Sequence, residues 1–312
     1  MKQPLIPLSH KLLEWKETFP SAFKGVHLPG ATVLSAAGNF GSVCIQEYHD
    51  NDFSVRLNVL DLFDRFIVKS FFKRSGVYAR LILKGRIDHE ASMDIKWSLY
   101  RNQFALIQSR DLITKEIYEK NTHISFETYF SSALAKEILL LYPSYNPQQV
   151  VTGRWADLET LELVHTILHC KYNAQLRHYF FKSRVKDLFF KYLLLDQRQL
   201  FGANDATENE INAIHEAEKI ITANVALHNP IPDLAKKVHL NEFKFKQLFK
   251  KIFAVGPYEY LVKKRLEKGK LLLEAGLSVK EVAAQVGYRP SDFTTVFRNH
   301  FGVSPSMAKR KD

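Results

Sequence analysis

The sequence is short of cysteine, of long apolar runs, of acidic residues and of any nucleophile or phosphate-loop signature. Each shortage narrows what the chain can be. Two cysteines, Cys44 and Cys170, in 312 residues give neither a disulfide framework nor metal-finger spacing, which fits a reducing compartment. No stretch approaches the ~18 apolar residues that a bilayer-spanning helix needs; "LLLYP" and "YLLL" are too short. The N-terminal "MKQPLIPLSHKLLEWKE" has no apolar run followed by a small-residue cleavage site, so no signal peptide is expected and the chain is placed in the cytoplasm. Gly-Asn-Phe-Gly at 38–41 is not followed by the lysine-containing helix start of a phosphate loop, and G-x-S-x-G is missing. No catalytic residue and no cofactor are expected. An enzyme would need a catalytic constellation within residues 1–150, and none is visible.

Against 33 acidic residues stand 44 Lys and Arg, a net charge of +11. That balance favours a polyanionic partner, either nucleic acid or an anionic membrane surface. Hydrophobic content of 46% and charged content of 25% are those of an ordinary globular protein. The length allows two domains with buried cores.

Histidine offers one pattern that resembles a metal site. Glu162, His165 and His169 lie at i, i+3 and i+7, so they share a helix face, with Cys170 adjacent. No second cluster completes a coordination sphere, and two incidental histidines on a helix face are the expectation, with no metal. His49 and His89 are isolated among β segments. Aromatic residues of the first half, such as Phe53, Phe63, Trp97 and Phe104, suit an apolar ligand pocket and an ordinary core alike.

The first 120 residues read as β structure. Runs at 42–48, 54–63, 65–72, 77–87 and 104–110 are β-branched and aromatic, broken by "GNFG", "HDND", "KRSG" and "YRNQ". Strands at this spacing predict a small barrel or sandwich. From about Ser125 the period changes. "ETYFSSALAKEILLLY" is predicted to be one amphipathic helix stopped by Pro143. Two more helices are predicted near 156–171 and 174–196, the second with apolar Leu176, Phe180, Leu188, Tyr192 and Leu195; they suit dimerisation or plain packing. The polar segment 196–210 is the candidate linker between a domain over 1–200 and a helical one over 208–312. Thr207 with Glu210 forms the sequence pattern of a capping box.

The last third repeats itself. An ungapped offset of 48 residues lays "IPDLAKKVHLNEFKFKQLFKKIFAVGP" (231–257) over "VKEVAAQVGYRPSDFTTVFRNHFGVSP" (279–305). Ala235/Ala283, Val238/Val286, Phe245/Phe293, Phe249/Phe297, Phe253/Phe301, Val255/Val303 and Pro257/Pro305 are identical. Small Ala where helices cross, with Phe at i, i+4 and i+8, predicts two short helices joined by a tight turn. Phe245, Leu248, Phe249 and Ile252 form an inward stripe, as do Phe293, Val296, Phe297 and His300. Opposite them lie Phe243, Lys246, Gln247 and Lys250, and Ser291, Thr294, Thr295 and Arg298. Ser278 and Glu281 cap the second copy. Residues 231–270 carry 11 Lys and Arg against 4 Asp and Glu, so the positive charge gathers here. Between the copies, 257–276 reads as one helix of about 30 Å, a length that suits placing two readers in successive major grooves about 34 Å apart.

Residues 211–312 resemble the DNA-binding domain of AraC/XylS-type transcriptional regulators, through the duplicated motif, the linking helix and the ending "VAAQVGYRPSDFTTVFRNHFGVSPSMAKRK". The resemblance implies an α+β chain: an N-terminal cupin-like β-barrel or sandwich with appended helices, then an all-α domain of two helix-turn-helix motifs. It implies a one-component regulator, an activator, with double-stranded DNA and RNA polymerase as partners, a homodimer, and a small-molecule effector in the N-terminal half. Phe243, Lys246, Gln247, Ser291, Thr294, Thr295 and Arg298 are the implied base-facing residues, and Lys244, Lys250 and Lys251 the phosphate contacts. Where the family often has Arg or Gln, this chain has Thr294 and Thr295. Threonine touches a thymine methyl but makes no bidentate pair, so most selectivity is expected from the first copy. Two other readings share the architecture: a ligand-independent activator whose N-terminal half only dimerises or binds a protein, and an enzyme with an N-terminal active site and a self-regulatory DNA-binding domain.

Overall fold

The computed structural model describes residues 6–7, 13–21, 23–72, 74–91, 96–109, 112–140, 153–200 and 206–308. The chain divides into two compact units, Met1–Ala203 and Asn204–Asp312.

The first unit is a pair of antiparallel sheets backed by helices. Its strands are β1 (Ile6–Pro7), β2 (Thr32–Gly38), β3 (Gly41–His49), β4 (Phe53–Leu62), β5 (Phe66–Phe72), β6 (Gly76–Lys84), β7 (Arg86–Ala91), β8 (Lys96–Tyr100), β9 (Gln103–Ser109), β10 (Leu112–Tyr118), β11 (Thr122–Ser131) and β12 (Arg154–Trp155). One sheet runs β1-β5-β10-β7-β8 and the other β12-β9-β6-β11-β4-β3-β2. The sheets stay open, so the architecture is the cupin-like sandwich of the α+β expectation and not a closed barrel. Helices α1 (Ser132–Leu139), α2 (Leu158–Leu168) and α3 (Ala174–Leu200) complete the unit.

Period-2 alternation explains how the larger sheet works. Along β4, Phe53, Val55, Leu57 and Val59 join a core that includes Phe181, Val185, Leu188 and Phe189 of α3. The alternate residues change character along the strand. Leu60 and Leu62 join Val43, Ile45, Ile82, Phe66, Val68, Ile87 and Leu99 in a second apolar cluster. Arg56 and Asn58, further along that alternation, are polar. Pairing sets Arg56 beside Glu127 and Glu127 beside Arg80, a row of alternating charge.

That row meets the smaller sheet in a buried ionic cluster. Arg80 lies 2.5 Å from Glu116 of β10 and 2.8 Å from Glu127 of β11. The Tyr118 hydroxyl donates to Glu116 at 2.7 Å, and Asn58 donates to Glu127 at 2.7 Å. Burial acts against the Glu116 carboxylate, yet the Arg80 guanidinium beside it prevails and holds its pKa at about 2. His89, paired with Glu116 across β7 and β10, is pushed down to about 4 by burial and is neutral at pH 7. Its ring stacks on Trp97 at 4.9 Å.

Several sequence expectations need correction. Residues 127–131 are strand, not helix: β11 runs through Ser131, whose side chain caps α1 by accepting from the Leu134 amide. Glu127, Thr128, Tyr129 and Phe130 are all buried, because β11 lies between β4 and β6 with both faces covered, which erases the alternation that marks a strand. Pro143 lies outside the described residues, as do 201–205 of the expected linker. The run 77–87 is two strands, broken at Gly85 with φ +83°. Strands β2, β8 and β10 were not anticipated. On α3, Leu176 is exposed, whereas Phe181, Val185 and Phe189 fill the core. Phe53 and Phe104 are core residues, while Phe63 is exposed.

His165 and His169 stack at 3.9 Å, and His169 Nδ1 lies 2.9 Å from the His165 carbonyl oxygen. No group of three or more potential metal ligands occurs among the described residues. No described helix is long and apolar enough to cross a membrane.

Candidate nucleic-acid interface

The second unit is all helical: α4 (Glu208–Ala223), α5 (Ile231–Lys237), α6 (Glu242–Phe253), α7 (Pro257–Glu274), α8 (Val279–Val286), α9 (Pro290–Phe301) and α10 (Pro305–Ala308). The 48-residue offset of the sequence is kept by the backbone. It carries Ile231 onto Val279, Glu242–Phe253 onto Pro290–Phe301, and Pro257 onto Pro305, each pair opening or bounding an equivalent helix. Both capping boxes form, Thr207 with Glu210 and Ser278 with Glu281. Helix α6 is capped by Asn241, which accepts from the Lys244 amide at 2.8 Å. Its counterpart has no side-chain cap and starts on Pro290.

Left-handed turns repeat as well, with different residues. His239 (φ 57°) corresponds to Gly287 (φ 78°), and Ala254 (φ 64°) to Gly302 (φ 74°). Only one of these positions demands glycine for space as well as for conformation. A Cβ on Gly287 would lie 2.4 Å from the Ala226 carbonyl oxygen, because the chain leaving α4 passes against the second turn. At Gly302 nothing lies within 4 Å of such an atom.

Helix α7 joins the copies. Its 18 residues span about 27 Å, ending at Glu274 with Ala275 and Gly276 (φ 94°) closing the terminus. It is held along its length. The Tyr260 hydroxyl donates to Glu218 at 2.6 Å. Arg265, buried, donates to the carbonyls of Val225 at 2.7 Å and Ala226 at 2.9 Å while lying over the Tyr288 ring at 5.0 Å. Gly269 leaves room for Phe293 of α9, whose ring a Cβ would meet at 2.8 Å.

The inward stripes are Phe245, Leu248, Phe249 and Ile252 on α6, and Phe293 and Phe297 on α9, all buried. His300 is exposed, a departure from the expected inward stripe; in the last turn of α9 it is Phe301 that packs on the α7 and α8 cluster, with Lys270 of α7 over its ring at 5.4 Å. Phe243, Lys246, Gln247 and Lys250 are all exposed on α6, and Ser291, Thr294, Thr295 and Arg298 on α9. Lys246 makes only a 3.7 Å contact with exposed Glu242, a pair of little energetic weight. Lys251 is half-buried. Lys244 is bound to Glu210 of α4 at 2.6 Å, a pairing invisible in sequence because the partners are far apart along the chain. That lysine and the Thr207 amide lower the Glu210 pKa.

Two equivalent helices, α6 and α9, each resting on its own support helix and tied through α7, define a tandem helix-turn-helix domain. Residues 234–311 match the family described as helix-turn-helix domain, and the C-terminal unit is an AraC/XylS-type domain. Over 120 residues the chain is 30% identical to the Msm operon regulatory protein of Streptococcus mutans serotype c, covering 38% of this chain and 43% of that protein. It is 33% identical over 95 residues to the lactose operon transcription activator of Staphylococcus xylosus, covering 30% and 34% respectively. These matches span less than half the length of each relative. Among solved structures, apo ToxT from Vibrio cholerae aligns over 83% of this chain and 97% of its own, at 16% identity and a TM-score of 0.37.

The turn geometry yields a prediction. Gly287→Ala combines left-handed strain with a backbone clash and lowers unfolding free energy by about 2 kcal/mol or more, whereas Gly302→Ala loses about 1 kcal/mol from strain alone. Ala254→Gly relieves the same strain and raises stability by a few tenths to about 1 kcal/mol. Denaturant unfolding of the full chain measures all three, and equal losses at 287 and 302 would show that the Ala226 contact carries no weight.

Proposed function

We propose that the chain is a sequence-specific DNA-binding transcriptional regulator, with duplex DNA lying against the exposed faces of α6 and α9. The observation that carries this reading is the duplication itself. Two equivalent helices present polar faces, lysine-rich on α6 and carrying Arg298 on α9, while Phe245, Phe249, Phe293 and Phe297 are covered from within. A membrane-surface helix would need those phenylalanines free for lipid. Phe243, Lys246 and Gln247, with Ser291, Thr294, Thr295 and Arg298, face the major groove. Lys250 and Lys251 grip phosphate, and Lys244 joins them only by leaving Glu210. The length of α7 suits readers placed in successive grooves.

The first unit is the regulatory half in this proposal, and its ligand is a small polar molecule bound between the sheets. Supporting this, both ring nitrogens of His89 (1% exposed) and the hydroxyl of Thr114 (0% exposed) lack a hydrogen-bond partner among the described residues. Buried polar atoms are ordinarily paired, and these face the Arg80–Glu116 cluster. Exposed Leu176, Tyr179 and Phe190 on α3 fall within roughly a 60° sector at about 100° per residue, which supports a homodimer.

Binding constants measured between low and moderate salt test the DNA reading. Release of counterions makes the log–log slope about −3 or steeper if four or more phosphates are neutralised; a slope near zero sinks the proposal. Lys246→Ala lowers the ratio of specific to non-specific affinity by about tenfold and Thr295→Ala by about threefold or less. Equal effects would refute the dominance of the first copy. For the regulatory half, a polar metabolite that raises the melting temperature of the full chain loses that effect in Thr114→Val; a shift unchanged in the variant places the ligand elsewhere.

A further inference from the structure

The outward faces of the two reading helices are more apolar at their tips than their composition suggests. Thr294 donates its hydroxyl proton to the Pro290 carbonyl at 2.9 Å, and Thr295 donates to Ser291 at 3.1 Å. Each bond turns a donor back onto the helix that carries it. Neither hydroxyl offers its proton to a base, and what each threonine adds to the exposed face of α9 is its methyl group. On α6, Phe243 in the first turn is 79% exposed, although a phenyl ring in water forfeits the burial that stabilises the other phenylalanines of the repeat. Three of the eight outward positions thus present apolar ends, and all three lie in the N-terminal halves of the reading helices, the part of a helix-turn-helix that meets base edges. In the major groove one feature rewards an apolar contact, the 5-methyl group of thymine.

We propose that this domain recognises its DNA in large part through thymine 5-methyl groups, read by Phe243 in the first half-site and by Thr294 and Thr295 in the second. This rests on the reading of the chain as a DNA-binding regulator. Arg298, in the last turn of α9, has a different task and secures register and affinity more than base identity, while Lys246 adds to selectivity in the first half-site as a point charge. The preferred duplex carries thymines on the groove edge beneath the first two turns of each reading helix.

The test uses the full chain and a pool of randomised duplex DNA, since the site need not be known beforehand. The best-enriched duplex is then synthesised twice, with thymine and with deoxyuridine, which differs only by the missing methyl. Affinity for the uracil form falls by about three- to fivefold for each methyl contacted, the worth of one buried methyl-sized group, while affinity for unselected DNA is unchanged. The variant Thr294→Ser/Thr295→Ser keeps both hydroxyls and the bonds to 290 and 291, so it folds as the parent does. It loses the uracil penalty in the second half-site, and Phe243→Ala loses it in the first. Equal affinity for the two duplexes overturns the proposal and leaves the DNA-binding reading standing. A uracil penalty that persists in the variants also overturns it, since DNA shape would then be its cause. A pool from which no sequence is enriched overturns the DNA-binding reading itself.

Discussion

The buried guanidinium of Arg265 is the interaction on which the arrangement of the C-terminal unit depends. A charged side chain taken out of water is costly unless its donors are met, and here they are met by main-chain carbonyls at the end of α4 and by the face of Tyr288. The residue sits midway along α7. It therefore fixes that helix against α4 on one side and against the second helix-turn-helix on the other. The close approach of Gly287 to Ala226 and of Gly269 to Phe293 follows from the same packing. Without this anchor the two copies would be beads on a helical rod; with it they are one body carrying two readers.

A second constraint works in the N-terminal unit through opposite means. There the space between the sheets changes from apolar to charged along its length, and the charged end is balanced by Arg80 against Glu116 and Glu127. Such a cluster contributes little net stability compared with a hydrophobic equivalent. His89, kept neutral by burial, lies beside the cluster without adding charge to it.

Legibility in the sequence followed the range of the interactions. The repeat, both capping boxes, the linking helix and the exposed faces of α6 and α9 depend on residues within a turn or two of each other, and all could be read directly. His300 escaped this because spacing alone continues the stripe to it, whereas its neighbour Phe301 takes the packed position in the last turn of α9. The left-handed turns at His239 and Ala254 were hidden because neither residue type advertises that conformation, though the 48-residue offset to Gly287 and Gly302 carried the signal. β11 was misread where burial on both faces removes alternation. The Arg80 cluster and the Lys244–Glu210 pair join strands or helices distant in sequence, and register fixes them only once the fold is known. Arg265 looks like one more cation in a basic helix.

The central claim is that α7 fixes two readers so that one chain spans two successive major grooves. Phosphate-ethylation interference on a selected duplex tests it most directly. Each bound protomer should give two clusters of interfering phosphates on one face of the DNA, about 10 base pairs apart. A single cluster per protomer would mean that the second helix-turn-helix does not reach the duplex, and would contradict the account.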